Sequence, residues 1–454
     1  MSGHHSNRDF FSSKFGVIAA TAGSAIGLGN IWRFPYVAGE NGGGAFLLIY
    51  LGFILIIGIP VMLSEFIIGR SAHRNVFGSF RKLAPGKPWY IIGLMGVVAA
   101  FMILSFYTAV AGWTLEYLYQ SITNGFEGLT STELQEMYYS FIGSPVRPLL
   151  WFFVFMGLTG YIIMAGVQKG IEKYSKILMP LLVVLLIILV IRSLTLPGAA
   201  GGVQFLFKPD FSKITTKTIL EALGQAFFSL SIGMGTLITY GSYIQKKDRL
   251  ESTAVSVAVA DTLVAVLAGL AIFPAVFAFQ IEPNSGEGLV YITIPNIFQQ
   301  MHGGYFFSIL FFVLLGVAAL TSTISVLEVI VAFFVEELRI KRSAATWLAT
   351  VSVSILGVMC VLSTSSMSFF RIFNFTVFDL MNFGSANIFL PLGGFFIVIF
   401  VAWFLGREQV GKELSHNSKH KSGFIPFFMF VIKFLAPVAI AFIFLQGVGL
   451  IKFS

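Results

Sequence analysis

Two short stretches of this sequence place glycines beside hydroxyl and amide side chains inside otherwise apolar segments. The first, TAGSAIGLGNIWRFP, occupies residues 21–35, and the second, SLSIGMGTLITYGSY, occupies residues 229–243. Glycine weakens helices, so each stretch is a candidate for a helix that unwinds part-way along its length. An unwound helix offers N–H groups that bind anions and carbonyl oxygens that bind small cations. An amino-acid carboxylate with a sodium ion beside it fits both kinds of group.

Asp261 is a third candidate, because it is the only charged residue in the apolar stretch SVAVADTLVAVLAGLAIFP. Carboxylates inside membrane segments are costly and usually functional. A carboxylate oxygen is also a hard ligand that suits a small cation. The alternative is a carboxyl group that is protonated or bonded for structural reasons alone.

The elements that must position these residues are membrane helices. Of the 454 residues, 56% are hydrophobic and 11% are charged, and apolar runs of about 20 residues are long enough to cross a bilayer. Eleven such runs are predicted, at residues 15–38, 44–69, 91–121, 149–166, 171–193, 217–245, 252–279, 305–335, 344–363, 370–405 and 424–451. They cover most of the chain, which predicts a single all-α integral membrane domain over residues 1–454.

The net charge of +8 reflects topology and does not indicate a nucleic-acid partner. If the N-terminus is cytoplasmic, the loops on that side hold most of the 29 lysines and arginines. This is the positive-inside bias, and eleven spans then place the C-terminus outside. Because the N-terminus has no cleavable signal pattern, we expect helix 1 to be retained. The single cysteine, Cys360, excludes an intramolecular disulfide.

Helices 1 and 6 are the two interrupted spans, and they stand five helices apart. This arrangement is typical of an inverted repeat with a binding site at the repeat interface. The first repeat would be residues 15–193, helices 1–5, and the second residues 217–405, helices 6–10, with helix 11 at 424–451 outside both. The alternative is that the glycines are close-packing positions, since Gly23 and Gly27 form a small-xxx-small pair.

Longer motifs carry a resemblance to a known family. The segment GSAIGLGNIWRFP followed by ENGGGAF resembles the neurotransmitter:sodium symporter family, especially its bacterial amino-acid transporters. Further similar motifs are SFYTAVAGWTLEY in helix 3, FFSLSIGMGTLITYGSY in helix 6, ALTSTISVLE in helix 8 and FDLMNFGSANIFLPL in helix 10. The resemblance implies a LeuT-type fold, a five-plus-five inverted repeat with discontinuous helices 1 and 6, in a bacterial cytoplasmic (inner) membrane.

The resemblance also implies two sodium sites and no organic cofactor. The first would use the backbone carbonyl of Ala25, the side chains of Asn30, Ser229 and Asp261, and the substrate carboxylate. The second would use the backbone carbonyls of Gly23, Ile26 and Ala318 and the hydroxyls of Thr321 and Ser322. Oxygen sets without thiolate or imidazole suit a hard monovalent cation. The alternative for Thr321 and Ser322 is that their hydroxyls bond back to their own helix.

A substrate site between the broken helices is implied in the same way. The carboxylate would bind the N–H groups of Leu28 and Gly29 and the hydroxyl of Tyr107, and the ammonium would bind carbonyls around Ala25, Phe228 and Ser231. The side-chain pocket would be lined by Ser24, Ile103, Phe228, Met234, Ser322 and Val326. Amine transporters of the family have an aspartate where this chain has Gly27, which favours an α-amino acid here. Met234 adapts to varied apolar groups, although plain core filling is the alternative.

Two gates complete what the resemblance implies. An outer gate would pair Arg33 with Asp379. An inner gate would pair Arg8 with Glu336, braced by Tyr243. The alternative for lone charges near helix ends is that they are solvated.

The sequence therefore predicts a sodium-coupled secondary active symporter that takes up a hydrophobic, aliphatic or aromatic, L-amino acid by alternating access. Chloride-dependent relatives bind chloride near this point of helix 7, so a fixed Asp261 carboxylate predicts chloride-independent transport. Alternatives are a symporter for a small or polar amino acid or, in a different class, an amino-acid-gated channel or sensor. An enzyme is not favoured, because the six histidines fall in predicted tails or loops. The expected partners are the substrate, sodium and the lipid bilayer, with the protein a monomer or weak homodimer.

Overall fold

The structure is a computed structural model that describes residues 9–281, 286–414 and 423–451. In these ranges the chain is helical apart from connecting turns, and the only strand-like pairing is a single bridge between Ile372 and Phe375. Nine of the described helices are long and apolar enough to cross a membrane. In the numbering of the predicted spans they are helices 2, 3, 4, 5, 7, 8, 9, 10 and 11, with bounds Gly44–Ala72, Tyr90–Ile122, Val146–Met164, Val167–Leu194, Leu250–Phe279, Gly304–Glu337, Arg342–Leu362, Val377–Leu414 and Phe424–Gly447.

The other two predicted spans, helices 1 and 6, are both broken. Helix 1 consists of helix 1a, Lys14–Ala25, and helix 1b, Gly29–Glu40, which meet at an angle of 56° and count together as a tenth span. Helix 6 consists of helix 6a, Thr216–Ser229, and helix 6b, Thr236–Gly241. Shorter helices in the connections are Val76–Leu83, Ser131–Gly143, Ala199–Phe207 and Ile294–Gln300.

Helix 8 lies at the centre of the bundle. Of its most apolar stretch, 72% is buried inside the protein, against 39% for helices 5, 9 and 11. It contacts helix 6b, where the Tyr240 hydroxyl donates to Ser325 Oγ at 2.9 Å. It also contacts helix 1a, where a side chain on Gly23 would lie 3.2 Å from Thr321 Cβ. Both broken helices therefore pack against the most buried continuous helix.

Helix 10 begins later than the sequence predicted. The predicted span starts at residue 370, whereas the helix starts at Val377. The backbone of Phe373 and Asn374 is left-handed, with φ of 51° and 67°, which excludes helix at that point. The helix begins after a capping box, in which Thr376 and Asp379 each accept a hydrogen bond from the other's backbone N–H.

Candidate functional site

Helix 1 is interrupted where the glycine cluster predicted it. Helix 1a ends at Ala25, and Ile26 has an extended backbone, with ψ of 103°. The next turn is held locally, because the Asn30 N–H donates to the Gly27 carbonyl at 3.2 Å and the Gly27 N–H donates to Asn30 Oδ1 at 3.2 Å. The break leaves helix 1b with its N-terminus in the interior of the protein.

Helix 6 is interrupted over residues 230–235. Three residues there have left-handed backbone, with φ of 55° at Ser231, 86° at Gly233 and 78° at Gly235. Glycine adopts this conformation readily. Gly233 is also a close-approach position, since a Cβ would lie 2.3 Å from the Leu390 carbonyl oxygen of helix 10. The glycines in this stretch therefore serve the break itself and are not simply helix-packing positions.

The two breaks face each other. The Ser231 hydroxyl donates to the Ser24 carbonyl at 2.8 Å, and Gln225 Nε2 donates to the Gly29 carbonyl at 3.2 Å. The ring of Phe228 lies against Gly29, where a Cβ would approach it to 2.8 Å. The Ser24 carbonyl, which the break in helix 1 leaves without a helical partner, is thus bonded by a side chain of helix 6, and Gln225 links helix 6a to helix 1b.

A cavity of about 50 Å³ lies between the breaks. It is larger than the roughly 10–15 Å³ that a single water needs. Its lining includes these residues predicted for the substrate site: Ser24, Ala25, Gly29, Ile103, Tyr107, Phe228, Ser231, Met234, Ser322 and Val326. Phe106, which the sequence reasoning did not single out, lines it as well. Ten of the residues predicted for the substrate site therefore line a single cavity. Their roles in binding remain predictions.

The polar end of this cavity is formed by helices 1, 3 and 8. The Leu28 N–H, at the start of helix 1b, donates to the Tyr107 hydroxyl at 3.1 Å. Tyr107 also bonds Ser322. Gly27 lies between these two side chains, since a Cβ there would be 2.5 Å from Ser322 Oγ and 2.8 Å from the Tyr107 hydroxyl. This end presents N–H and O–H groups beside the N-terminus of helix 1b, an arrangement that binds anions.

The side chains predicted for the first sodium site form one buried cluster. Asn30 Nδ2 donates to Asp261 Oδ1 at 2.7 Å and to Ser229 Oγ at 3.0 Å. Ser229 Oγ donates to Asp261 Oδ2 at 2.7 Å. All three side chains are almost fully buried, with Asp261 at 0% exposure. The cluster adjoins the cavity, whose lining includes Ser229 and Ala25.

Tyr50 of helix 2 belongs to this cluster, although the sequence reasoning did not include it. Its hydroxyl lies 3.3 Å from Asp261 Oδ2 and 3.3 Å from Ser229 Oγ. A tyrosine inside an apolar run carries little signal, because the ring alone accounts for its burial. The Asp261 carboxylate thus accepts hydrogen bonds from helices 1, 2 and 6 together.

The five residues predicted for the second sodium site also lie together, between helices 1 and 8. The Ser322 hydroxyl reaches across to the Ile26 carbonyl at 3.4 Å. The Thr321 hydroxyl instead donates within its own helix, to the carbonyl of Ala318 at 3.0 Å and that of Val317 at 3.3 Å. The Thr321 hydroxyl thus bonds back to its own helix, which was the alternative to sodium binding. Sodium binding between Thr321 and the adjoining Gly23 remains a prediction.

The family sequence model of the sodium:neurotransmitter symporters matches residues 8–133 and 140–453 of the chain. The chain belongs to this family. A Bacillus subtilis protein described as an uncharacterized sodium-dependent transporter is 40% identical over 443 residues, 98% of each chain. A sodium-dependent transporter of Haemophilus influenzae is 38% identical over 458 residues, 98% of this chain and all of that one.

A solved structure gives the same result at the level of the fold. The crystal structure of MhsT in complex with L-phenylalanine is 47% identical and superposes with a TM-score of 0.89, over 97% of this chain and 100% of that one. The LeuT-type membrane fold predicted from the sequence is confirmed. This member of the symporter family is a sodium-dependent, multi-pass membrane transporter and not an enzyme.

The two residues of the predicted outer gate form no ion pair with each other in this conformation. Among the described residues, Asp379 instead bonds Thr376 at the start of helix 10, and the pairing of Arg33 with Asp379 stays a prediction. The Arg33 guanidinium instead lies 4.7 Å from the centroid of the Phe228 ring. Glu221 of helix 6a faces the same cavity of about 310 Å³ as Arg33 and interacts with it electrostatically. Glu221 is thus the nearby counter-charge that the sequence reasoning missed.

The predicted inner gate is described only in part. Arg8 lies outside the described residues, so its pairing with Glu336 stays a prediction. Glu336 accepts hydrogen bonds from the backbone and side-chain nitrogens of Asn75, at 2.9 and 3.0 Å. The Tyr243 hydroxyl donates to Glu328 at 2.6 Å, and its bracing of Arg8 and Glu336 stays a prediction. Glu328 is fully buried and also binds Arg342.

Glu65 of helix 2 is a further buried carboxyl group that the sequence reasoning passed over. Its Oε1 accepts the Gly233 N–H at 2.7 Å, inside the break of helix 6. It also bonds the backbone of Ile238 in helix 6b. Its Oε2 has no hydrogen-bond partner in the described part of the chain. The signal was present, since Glu65 is the only charged residue between positions 44 and 69.

Proposed function

We propose that the protein is a sodium-coupled symporter that takes up a hydrophobic L-amino acid by alternating access. We further propose that the loops rich in lysine and arginine face the cytoplasm, as the positive-inside bias indicates. The proposal depends on the cavity between the breaks, which is polar at Leu28 and Tyr107 and largely apolar elsewhere. A hydrophobic amino acid likewise has a charged end and an apolar side chain.

The polar end suits a carboxylate supplied by the substrate. The N-terminus of helix 1b carries a partial positive charge, and the hydroxyl of Tyr107 is a further donor. Carbonyl oxygens around Ala25 and Ser231 remain for the ammonium group. Gly27 leaves no protein carboxylate at the position where amine transporters of the family have aspartate, so the substrate must bring its own.

The opposite wall suits an aliphatic or aromatic side chain. It is formed by Ile103, Phe106, Met234 and Val326. Apolar burial gives affinity in proportion to the area removed from water. The related transporter MhsT has been crystallised with L-phenylalanine, which supports the same substrate class for this chain.

Two sodium ions are proposed as co-substrates. The first would bind between Ala25, Asn30, Ser229 and Asp261 and share the substrate carboxylate, and the second would bind between Gly23, Ile26, Ala318, Thr321 and Ser322. Oxygen-only ligand sets of this kind suit sodium. Since Asp261 supplies a fixed negative charge in the first cluster, we propose that transport does not require chloride.

Coupling follows from the shared ligand. A sodium ion that touches the substrate carboxylate must raise the affinity for substrate, and the substrate must raise the affinity for sodium by the same factor. A symporter for a small or polar amino acid is the second candidate, because the hydroxyls of Ser24, Ser231 and Ser322 also face the cavity and its volume is modest.

Uptake into proteoliposomes tests the proposal. Labelled L-phenylalanine is supplied with an inward sodium gradient, against each other standard amino acid, GABA and serotonin as competitors. We expect accumulation above equilibrium, competition by leucine-like and aromatic amino acids, no competition by GABA or serotonin, and equal rates with chloride replaced by gluconate.

Three other results would contradict parts of the proposal. Equal uptake with sodium replaced by choline would exclude symport. Competition by serine and alanine with none by leucine would favour the second candidate. Sodium-dependent flux that never exceeds equilibrium would indicate a channel, and binding without flux would indicate a sensor.

A further inference from the structure

The connection between helices 9 and 10, residues 363–376, exposes apolar side chains outside the membrane spans. Phe369 is 82% exposed and Phe373 is 88% exposed, more than any other phenylalanine that the structure describes. Phe370 and Ile372 are exposed as well. In a loop that faced only water, this much apolar surface would carry an unfavourable hydration free energy.

The backbone holds Phe373 in this exposed position. Ile372 and Phe375 exchange backbone hydrogen bonds of 2.9 and 3.0 Å, which close a two-residue turn. The residues at its centre, Phe373 and Asn374, have φ of 51° and 67°. Left-handed backbone is common for asparagine but unfavourable for phenylalanine, so an unstrained sequence would have a glycine or asparagine at this site.

The base of the loop is fixed to the protein. The Met367 N–H donates to the Leu362 carbonyl at 2.8 Å, and the Thr364 hydroxyl donates to the Ile142 carbonyl at 3.0 Å. At the other end, the Phe375 ring stacks on Phe383 of helix 10 with centroids 5.1 Å apart. The exposed tip is therefore carried on a well-bonded base and is not a loose segment.

The charge of the loop is as distinctive as its aromatic content. Arg371 is the only charged residue between positions 363 and 376. It lies between the two most exposed phenylalanines, is itself exposed, and makes no ion pair with any residue in the described ranges. An arginine flanked by apolar rings matches the boundary of a bilayer, where rings enter the acyl region and a guanidinium bonds to phosphate.

We propose that this loop is a lipid-binding anchor, whose occupant is the leaflet of the transporter's own membrane on the side that the loop faces. Both ends of the loop are ends of membrane helices, Leu362 and Val377, so it lies within a few residues of the bilayer surface. Ile355, in the half of helix 9 that leads into the loop, is an exposed apolar side chain on the preceding span. Phe369 and Phe373 insert into the surface of the leaflet at this end of helix 9, and Arg371 contacts lipid phosphate.

The anchor has a consequence for helix 10. The loop leads directly into the capping box of Thr376 and Asp379, and Phe378 stacks on Trp113 of helix 3 with centroids 6.0 Å apart. In this proposal, contact of the loop with the leaflet holds the segment that leads into helix 10, whose first turn is already packed on helix 3. This inference is independent of the substrate that the transporter carries.

Spin labelling of the full-length transporter in phosphatidylglycerol and phosphatidylethanolamine vesicles tests the anchor. The buried Cys360 is replaced by alanine, and a nitroxide is attached to Phe373→Cys. The matched control is Asn124→Cys, because Asn124 is also an exposed loop residue with left-handed backbone, φ 57°. Phe369→Cys is a second reporter in case the first variant fails to fold.

We expect the nitroxide at position 373 or 369 to collide more with oxygen, which partitions into lipid, than with a water-soluble nickel chelate. The control label at position 124 should show the opposite order. A label at 373 and 369 that prefers nickel would overturn the anchor. Spin–spin broadening that disappears on dilution with unlabelled transporter would assign the loop to contact with a second copy, and would overturn it as well.

Discussion

At the scale of single residues, the decisive group is Asp261. Its carboxylate accepts hydrogen bonds from Asn30, Ser229 and Tyr50, contributed by three different helices. An isolated charge in this setting would be very costly, and a bound cation offsets that cost. In the proposed function this carboxylate is a ligand of the first sodium ion and the fixed charge that makes chloride unnecessary.

Replacing Asp261 with asparagine keeps the shape of the side chain and removes its charge. We expect the sodium concentration for half-maximal uptake to rise by about tenfold or more, since bonds to charged groups contribute about 1.5–3 kcal/mol each. The measurement is a sodium titration of uptake in chloride-free buffer, repeated with chloride, which should restore part of the response. An unchanged sodium titration would remove Asp261 from the site.

In the proposed function, Gly27 is the reason why the substrate must carry its own carboxylate. In Gly27→Asp the new Cβ would meet Ser322 and Tyr107, at 2.5 and 2.8 Å, and the new carboxylate would occupy the end meant for the substrate. We expect binding of labelled L-phenylalanine to be lost in Gly27→Asp and weakened in Gly27→Ala, which tests the steric part alone. Wild-type binding by the aspartate variant would show that the carboxylate is held elsewhere.

Sequence reasoning was uneven at this scale. The resemblance to the symporter family placed Asn30, Ser229 and Asp261 together, and Asp261 alone also stands out by residue type, as the one charge in an apolar helix. Tyr50 could not be found from the sequence, because its contacts depend on how helix 2 packs on helices 6 and 7, whereas Glu65 was visible as a lone charge and only its partner, Gly233, required the fold. The pairing of Arg33 with Asp379 stays a prediction; in this conformation Asp379 caps helix 10 and Glu221 lies near Arg33, which depends on local geometry.

At the scale of elements, the breaks in helices 1 and 6 have different causes. In helix 6 the glycines themselves adopt left-handed backbone. In helix 1 the turn is made at Ile26, while Gly23, Gly27 and Gly29 allow close approach of helices 8 and 6. The glycine clusters predicted the position of both breaks. Which glycines adopt left-handed backbone and which allow close approach could be seen only once the neighbouring helices were in place.

Glu65 of helix 2 stabilises the break in helix 6 by accepting the Gly233 N–H. In Glu65→Ala the Gly233 N–H would lose its acceptor, and an unsatisfied buried group costs about 1–3 kcal/mol. We expect a lower melting temperature of the purified transporter and reduced uptake. Glu65→Gln keeps an acceptor oxygen and should restore most of both. Equal melting temperatures and uptake for the alanine variant and the wild type would show that the contact is dispensable.

At the scale of the whole molecule, the fold follows from constraints that a sequence expresses clearly. Apolar runs gave the spans, because backbone groups in lipid must be satisfied within helices. The ends of the helices were less predictable. The tenth apolar run begins at residue 370, but residues 372–375 form a turn and helix 10 starts only after the Thr376 cap. The division into two repeats remains a prediction, which the position of the breaks supports, and the orientation of the chain remains a prediction that depends on the positive-inside bias.

The central claim is that the two breaks hold an amino acid and sodium in direct contact. Equilibrium binding of labelled L-phenylalanine to the purified, full-length transporter, with sodium replaced stepwise by choline at constant ionic strength, tests it most directly. The account predicts that affinity for phenylalanine rises with sodium concentration and that phenylalanine raises the affinity for sodium by the same factor. Binding of equal affinity in sodium and in choline would contradict it.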